Sequence, residues 1–426
     1  VSRLASRVVL PLLRRRLGTT GLDLSRLGRL PAATLVALRR DGIDPVPELG
    51  QIRARATVSR LPFPFGLRVW LVTGSDEAKR VLADATGFST DFANLAGGGG
   101  APATNPGGLG FADPPAHTRL RRLLTPEFTM RRLTRLIPRV RDIVDARLDA
   151  MAQAPDPVDV VAAFALPIPS LVICELLGVP YSHRAQFQDL AMSRFDVATG
   201  GAGSLAAISD SLAYLRDVVA SQRREPGDGL LGMIIRERGD EIGDEELAGL
   251  ADGVLTGGFE TTASMLSLGA LVLLRDPVAA QRLRDDDAAV GLFVEEILRH
   301  LSVVQVAFPR FARRDLVIDG ARIAEGDIVV VSLAAANRDP RLGAGLDSLD
   351  PTRDPVSHLA FGHGLHRCVG AELARLELRA AYPALVRRFP RLRLAVSSDQ
   401  LRFRPASIVY GIESLPVHLG DSHATR

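Results

Sequence analysis

The stretch from Leu247 to Leu274, LAGLADGVLTGGFETTASMLSLGALVLL, sets the strongest limit on what this chain can fold into. Only Asp252 and Glu260 carry charge within it. By length and hydropathy alone it qualifies as a membrane span. Its centre argues otherwise: Gly257, Gly258, Glu260, Thr261 and Thr262 stand together there, and an ionisable group at that depth in lipid is costly unless it has a function. A helix that is apolar nearly all round has a second home, the middle of a large water-soluble core. We expect a core helix here, no membrane span, and one large domain built around it.

Length and composition allow this. A chain of 426 residues buries a substantial core, and 46% hydrophobic residues is a globular composition rather than a disordered one. A net charge of +3 excludes a nucleic-acid binder driven by bulk charge. Lys79 is the single lysine, so nearly all of the 52 basic residues are arginine. Two cysteines, Cys174 and Cys368, make no disulfide scaffold, and no CxxC pair offers an iron–sulfur or zinc site. The basic N-terminus, VSRLASRVVLPLLRRRLG, has an apolar run from Val8 to Leu13 that is too short for a signal-peptide core. It reads as a surface helix or arm, with loose membrane-surface association as the alternative, and the chain as cytoplasmic.

The pattern along the chain divides it into a leader of short helical pieces (1–44), a mainly helical domain with a small β part (45–418) and a short tail (419–426). RVWLVTG (Arg68–Gly74) alternates as a strand does. LAGGGGAPATNPGGLG (Leu95–Gly110) is a loop. Helical periodicity runs from Thr118 to His300, with breaks at Asp196–Ser204 and Arg224–Gly229. Strands return at DLVIDG, at IVVVSL and in the C-terminal LRFRPASIVYGIESLPVHL. There is no internal repeat, and a monomer is expected.

Cys174 sits in the apolar run LVICELLGV and reads as a small buried hydrophobe. Cys368 differs. Gly362, Gly364 and Gly370 flank it, so the backbone can lie close against something flat or large. Leu373, Leu376 and Ala380 share one helical face, so a helix begins just after it. A helix N-terminus, with Arg367 and His366 beside it, stabilises a thiolate. Such a thiolate suits nucleophilic attack, with His366 as a weakly placed base, or ligation of iron, for which the glycines leave room.

The ten residues FGHGLHRCVG (Phe361–Gly370) resemble the haem-binding loop of the cytochrome P-450 family at every patterned position. The resemblance covers about residues 45 to 418, with its motifs in family order. It implies a haem-thiolate fold, mainly α with a small β part, in which a long central helix crosses the haem. Cys368 is then the axial ligand of iron in haem b, whose thiolate pushes electron density onto the metal. Phe361, Gly362 and Gly370 complete the loop. His117 and Arg121 in DPPAHTRLRRLLTPEFT, Arg310 in FPRFARRDL, and His366 match propionate partners, and clustered Arg and His suit those anions. Glu296 and Arg299 in EILR, with Arg353 in DPTRDP, match a structural ion-pair cluster behind the haem. In GGFETT, Glu260 and Thr261 match the acid–alcohol pair of oxygen activation: the threonine holds oxygen or a water beside it, and the acid relays protons. Small residues at 257 and 258 leave room over the iron, whereas Phe259 is bulkier than the family pattern.

The implied activity is a monooxygenase that inserts one oxygen atom of O2 into an apolar small molecule. Electrons come ultimately from NAD(P)H through separate proteins, a ferredoxin and its reductase, with Arg119, Arg122, Arg131 and Arg132 as part of a basic docking face or an ordinary solvated one. By the same resemblance the pocket walls come from the 95–110 loop, the 185–210 region, Leu255 and Gly258, Val303, Val304, Val306 and Ala307, and Ile408 and Val409. These aliphatic residues favour an apolar substrate, with a lipid or fatty acid slightly ahead of a terpenoid, steroid or polyketide-like compound. Two other readings stand beside this one: a peroxide-dependent haem-thiolate enzyme, and a non-catalytic haem sensor or recruitment protein.

Overall fold

The computed structural model of the chain describes residues 31–63, 67–91, 108–179, 185 and 200–420, with residues 200–209 as helical backbone only. Helices dominate: α1 (Pro47–Arg55), α2 (Ser75–Ala83), α3 (Ala116–Leu124), α4 (Ile137–Gln153), α5 (Pro167–Leu177), α6 (Gly200–Arg224), α7 (Leu230–Arg238), α8 (Asp244–Arg275), α9 (Pro277–Asp285), α10 (Asp287–Leu301) and α11 (Ala371–Arg388). The apolar segment that opened the sequence reading is α8. Asp244, Glu245 and Glu246 occupy its first turn and Arg275 its last, so charge complements the helix dipole at both ends. Asp276 then stops it and caps α9, accepting the Ala279 amide at 3.0 Å; Asp286 caps α10 in the same way, accepting from Ala288 at 2.8 Å.

By length and composition α8 is apolar enough to cross a membrane, but 72% of its most apolar window is buried inside the protein. It packs against α5, α6 and α11. The Tyr382 hydroxyl of α11 donates to the Met265 carbonyl of α8 at 2.6 Å, and Gly269 makes the room, since a Cβ there would collide with that hydroxyl. The small β part is a five-stranded sheet in the order Val58–Leu61, Val69–Val72, Ile328–Val331, Arg310–Ala312, Phe88–Ser89. The Val69–Val72 and Ile328–Val331 strands run parallel, Val69 opposite Ile328 and Val72 opposite Val331; the other pairs are antiparallel. These are the strands expected from RVWLVTG and IVVVSL, and DLVIDG supplies Leu316–Ile318 of a separate hairpin.

Two expectations need correction. Residues 1–30 lie outside the described residues, but the stretch assigned to the leader is part of the domain by residue 36. Val36 and Ala37 are buried in a cluster with Leu49, Leu61, Val69 and Leu71. Arg40 donates to the Gln305 side chain at 2.7 Å and the Leu301 carbonyl at 2.8 Å. The break expected at Asp196–Ser204 is also too long: α6 is already helical from Gly200, because its 25 residues carry the weak helix formers of the first turn.

Candidate functional site

The Cys368 loop is shaped by its glycines. Gly362 and Gly364 have φ of 70° and 71°, the left-handed region that side chains disfavour. At Gly364 a Cβ would also come within 2.6 Å of the Leu82 carbonyl oxygen of α2. The loop closes on itself where the Cys368 amide donates to the Phe361 carbonyl at 2.9 Å. Helix α11 begins at Ala371 with Gly370 at its N-cap, as the sequence predicts. The Cys368 sulfur is accessible yet ringed by protein on most sides, so burial pushes its thiol up, while the Gly370 amide and the charges of Arg121, Arg367 and Arg375 pull it down.

Beside the sulfur lies a group of cations and imidazoles. The rings of His117 and His366 are 4.4 Å apart, and His117 is fully buried with neither ring nitrogen hydrogen-bonded. Burial lowers the pKa of His117, with help from Arg121; burial, Arg310 and His117 take His366 down to about 4. Arg310 is buried and donates to the Phe308 carbonyl at 2.8 Å, and burial lowers it to about 10. Arg121 is lowered by burial and Arg367 and raised by the Cys368 sulfur. Asp113, which accepts from Ser89, from the Thr90 amide at 3.0 Å and from Arg313 at 2.5 Å, is the carboxylate that offsets His117, Arg310 and His366. Orphaned donors on a buried histidine and a buried arginine bonded to one backbone carbonyl fit the carboxylates of a haem, and the open sulfur fits its iron.

Glu296, Arg299 and Arg353 meet in one ion-pair cluster. Glu296 takes both ends of the Arg299 fork at 2.8 Å in a buried site, and Arg353 reaches it at 3.3 Å. The fork's remaining protons go to the carbonyls of Asn337, Leu346 and Ser348, at 2.9, 2.8 and 3.2 Å. This joins α10 to the loops that precede Cys368.

On α8 the faces divide. Thr256 and Gly257 are exposed, and nothing stands within 4 Å of where a Gly257 Cβ would be. Gly108, with φ of 57°, faces Gly249 and Gly253 of this helix: a Cβ added to it would stand 3.8 Å from the Gly249 carbonyl oxygen and from the Gly253 Cα. The next residue, Leu109, presents its carbonyl to His366, so a single turn (Gly108–Phe111) ties α8 to the cysteine loop. Thr261 donates its hydroxyl to the Gly257 carbonyl at 2.7 Å, which leaves its oxygen free to accept. Glu260 is bonded at 2.6 Å by Arg404; burial raises its pKa, and Arg404 opposes the rise.

Two expected wall residues are not there. Leu255 is 1% exposed and packs in the main core, about half a turn from Gly257 and Glu260. Gly258 faces α5, where a Cβ would meet the Ile173 side chain at 3.1 Å, so it serves helix packing rather than room over a ligand. Phe259 is fully buried on that same side of the helix. Val304 and Val409 pair across a bridge, the Gln305 amide donates to the Ile408 carbonyl at 3.0 Å, and the Tyr410 amide to the Val303 carbonyl at 2.7 Å. These segments therefore lie side by side, with Val303 buried, Val304, Val306, Ala307 and Val409 half-buried, and Ile408 exposed. The other expected walls, 95–110 and 185–210, fall mostly outside the described residues. Sequence reasoning missed Phe308, 46% exposed and packed edge-on to Phe111 at 4.6 Å, and it missed Arg404. The basic docking face is largely self-neutralised: Arg119 pairs with Glu246, Arg122 with Glu241, and Arg132 with Glu127 and Glu237.

Comparison with known proteins agrees with this geometry. The family model described as Cytochrome P-450 matches residues 212–409. Cytochrome P-450 FAS1 of Rhodococcoides fascians is 41% identical over 386 residues, covering 89% of this chain and 96% of the relative. Cytochrome P-450 monooxygenase PikC of Streptomyces venezuelae is 40% identical over 397 residues, covering 91% and 94%. Among solved structures, OxyE, described as a cytochrome P-450 involved in teicoplanin biosynthesis, superposes with a TM-score of 0.84 at 39% identity, over 90% of this chain and 99% of that one.

Proposed function

Because the chain belongs to the cytochrome P-450 family and is a monooxygenase of it, we propose that Cys368 ligates the iron of a haem b whose carboxylates are held by His117, Arg121, Arg310 and His366. The observation that carries this reading is the accessible Cys368 sulfur beside buried, unpartnered donors. When bound, the haem supplies the activation of O2 and the transfer of one oxygen atom to substrate.

The protein's part is placement and proton handling. The Thr261 oxygen, its proton committed to Gly257, accepts a hydrogen bond from a water or a protonated oxygen. Glu260 passes protons from solvent to that position, and Arg404 keeps it oriented. Glu296, Arg299 and Arg353 hold the region behind the cysteine loop. Electrons reach the site from NAD(P)H through a separate ferredoxin and reductase. The docking face is better sought beside the cysteine loop, where Arg367 is exposed on the rim of a recess of about 440 Å³, than at the paired arginines of α3. Burial of α8 by protein favours a core helix over a membrane span.

For substrate we favour a bulky natural-product intermediate over the fatty acid that the aliphatic residues first suggested. The relative acting in teicoplanin biosynthesis supports this, as does the side-chain-free stretch of α8 at Gly257. The test is a titration of the ferric holoprotein with fatty acids of rising length against macrolactones, peptides and polycyclic terpenoids, following the spin-state shift of the Soret band. Shifts with the bulky compounds alone support the proposal; tight, length-dependent shifts with fatty acids restore the lipid reading. For the ligand, Cys368→Ser must abolish the thiolate-type Soret band of the reduced carbon monoxide complex.

A further inference from the structure

Behind the Cys368 loop, three side chains that the proposed reaction does not use form a relay of contacts ending on the loop itself. Glu295 of α10 takes the fork of Arg375 from α11, Nε to Oε1 at 2.7 Å and Nη2 to Oε2 at 2.8 Å. His358 accepts the Ala360 amide on Nδ1 at 3.2 Å, so its Nε2–H donates to Glu295 Oε2, also at 3.2 Å. All three are largely shielded, with side-chain exposures of 19% for Glu295, 13% for Arg375 and 6% for His358. Arg375 bonds Glu372 at 3.0 Å, and its guanidinium lies 4.7 Å from the centre of the Phe361 ring. The Phe361 carbonyl is the acceptor of the Cys368 amide.

Arg375 reaches Cys368 through Phe361, whose ring lies against its guanidinium and whose carbonyl accepts the Cys368 amide at 2.9 Å. Its charge is offset by a tightly bonded carboxylate. Bonds from Arg375 and His358 overcome burial and hold Glu295 down to about 2, so the offset is a full negative charge at neutral pH. Shielded charges interact more strongly than charges in water, so a change on either partner is felt at the sulfur.

We propose that Glu295 and Arg375 are a charge-balancing pair that sets how much electron density Cys368 gives to the haem iron, with Arg375 a positioning residue acting through Phe361. This rests on the haem-thiolate reading above. Loss of the Glu295 charge leaves Arg375 uncompensated, stabilises negative charge on the sulfur and makes the iron easier to reduce. Loss of Arg375 does the opposite.

The experiment measures the midpoint potential of the ferric–ferrous couple in the holoprotein by spectroelectrochemistry, for wild type, Glu295→Gln, Arg375→Met and Arg375→Lys. The reduced carbon monoxide spectrum serves as a check on ligation. The expected result is a higher potential for Glu295→Gln, a lower one for Arg375→Met, and return toward wild type for Arg375→Lys, all with the thiolate-type band retained. Shifts of the same sign in Glu295→Gln and Arg375→Met, or no shift in either, overturn the proposal and leave the pair a purely structural clamp. If Arg375→Met does not retain haem, the sign of the Glu295→Gln shift decides alone. Absence of the thiolate-type band in the wild type instead overturns the ligand assignment, and the pair's role with it.

Discussion

Arg404 Nη1 lies 2.6 Å from Glu260 Oε1, across 144 residues of sequence. The Ser264 hydroxyl, one turn further along α8, is buried without a partner, and Gly411 leaves the space beside it: a Cβ there would stand 2.7 Å from Ser264 Oγ and 3.4 Å from Arg404 Cζ. The carboxylate expected to relay protons is therefore held from the C-terminal hairpin. Burial already raises the Glu260 pKa, and Arg404 is what limits the rise. Arg404→Leu is expected to raise it further, so the ionised form appears only at higher pH. The acid limb of the pH–turnover profile should move up by roughly one to three units, the usual effect of an opposite charge at contact distance. Arg404→Lys should keep the limb near its original position. An unmoved limb in Arg404→Leu counts against a role for the pair in proton delivery.

Arg299 is 1% exposed and spends its fork on Glu296 and three backbone carbonyls. Arg299→Ala leaves a buried carboxylate with Arg353 as its one remaining cation and two carbonyls without donors. Removing one partner of a buried pair costs about 3–5 kcal/mol. Urea denaturation of the holoprotein should show a loss of that size. Arg299→Lys should recover only part of it, since an ammonium cannot form the two-pronged bond.

Gly364 combines a positive φ with contact against the Leu82 carbonyl. Gly364→Ala has no conformation that relieves both, and the segment between Phe361 and Cys368 must shift. Expected outcomes are lower haem retention and a reduced carbon monoxide complex without the thiolate band. Gly370→Ala is the contrast: its Cβ would make only ordinary contacts, at 3.7 Å to Phe128 and 3.9 Å to the sulfur, so it should retain the band.

These sites show what the sequence could and could not reveal. The cysteine loop, the buried Glu296–Arg299 pair and the α8 core helix were legible because each is local: cysteine, glycines and helix start fall within ten residues, and a helical pair lies three residues apart. Arg404 was not legible. Its neighbours Arg402 and Phe403 give it the look of an ordinary solvent-facing strand residue, and its partner comes from a helix packed on the other side of the hairpin. Leu255 and Gly258 failed for a related reason. The motif singles out one turn of α8, but only packing against Ile173 and the core fixes how the helix is rotated. The split of Arg119, Arg122 and Arg132 among carboxylates from 127 to 246 could not be read from a run of arginines.

Glu377 of α11 is 2% exposed, its Oε2 has no hydrogen-bond partner, and burial pushes its carboxyl up to about 8. The folded state thus keeps a proton that the unfolded chain releases above its ordinary carboxylate pKa, about 4.3. The stabilisation is complete below that pH and is lost as pH rises from there to about 8, at up to about 1.4 kcal/mol per unit. Glu377→Gln removes the titration. It should leave stability at pH 4 nearly unchanged and raise it at pH 8, measured by denaturant unfolding at both values. Equal effects at the two pH values would mean that Glu377 is ionised in the fold.

The parallel pairing of Val69–Val72 with Ile328–Val331 carries a consequence for how the molecule comes to be made. A ribosome delivers the first strand more than two hundred residues before its partner, and Arg40 waits similarly for Gln305 and Leu301. Closing so long a loop is slow, and until it closes the valines of the early strand have no ladder to join. The helices from α4 to α8 can collapse on one another during synthesis, whereas the strands Val58–Leu61 and Val69–Val72 must stay unfinished until the last quarter of the chain emerges. Birth of this protein is thus a threading of its beginning onto its end, and the interval between the two is when it is most exposed to aggregation.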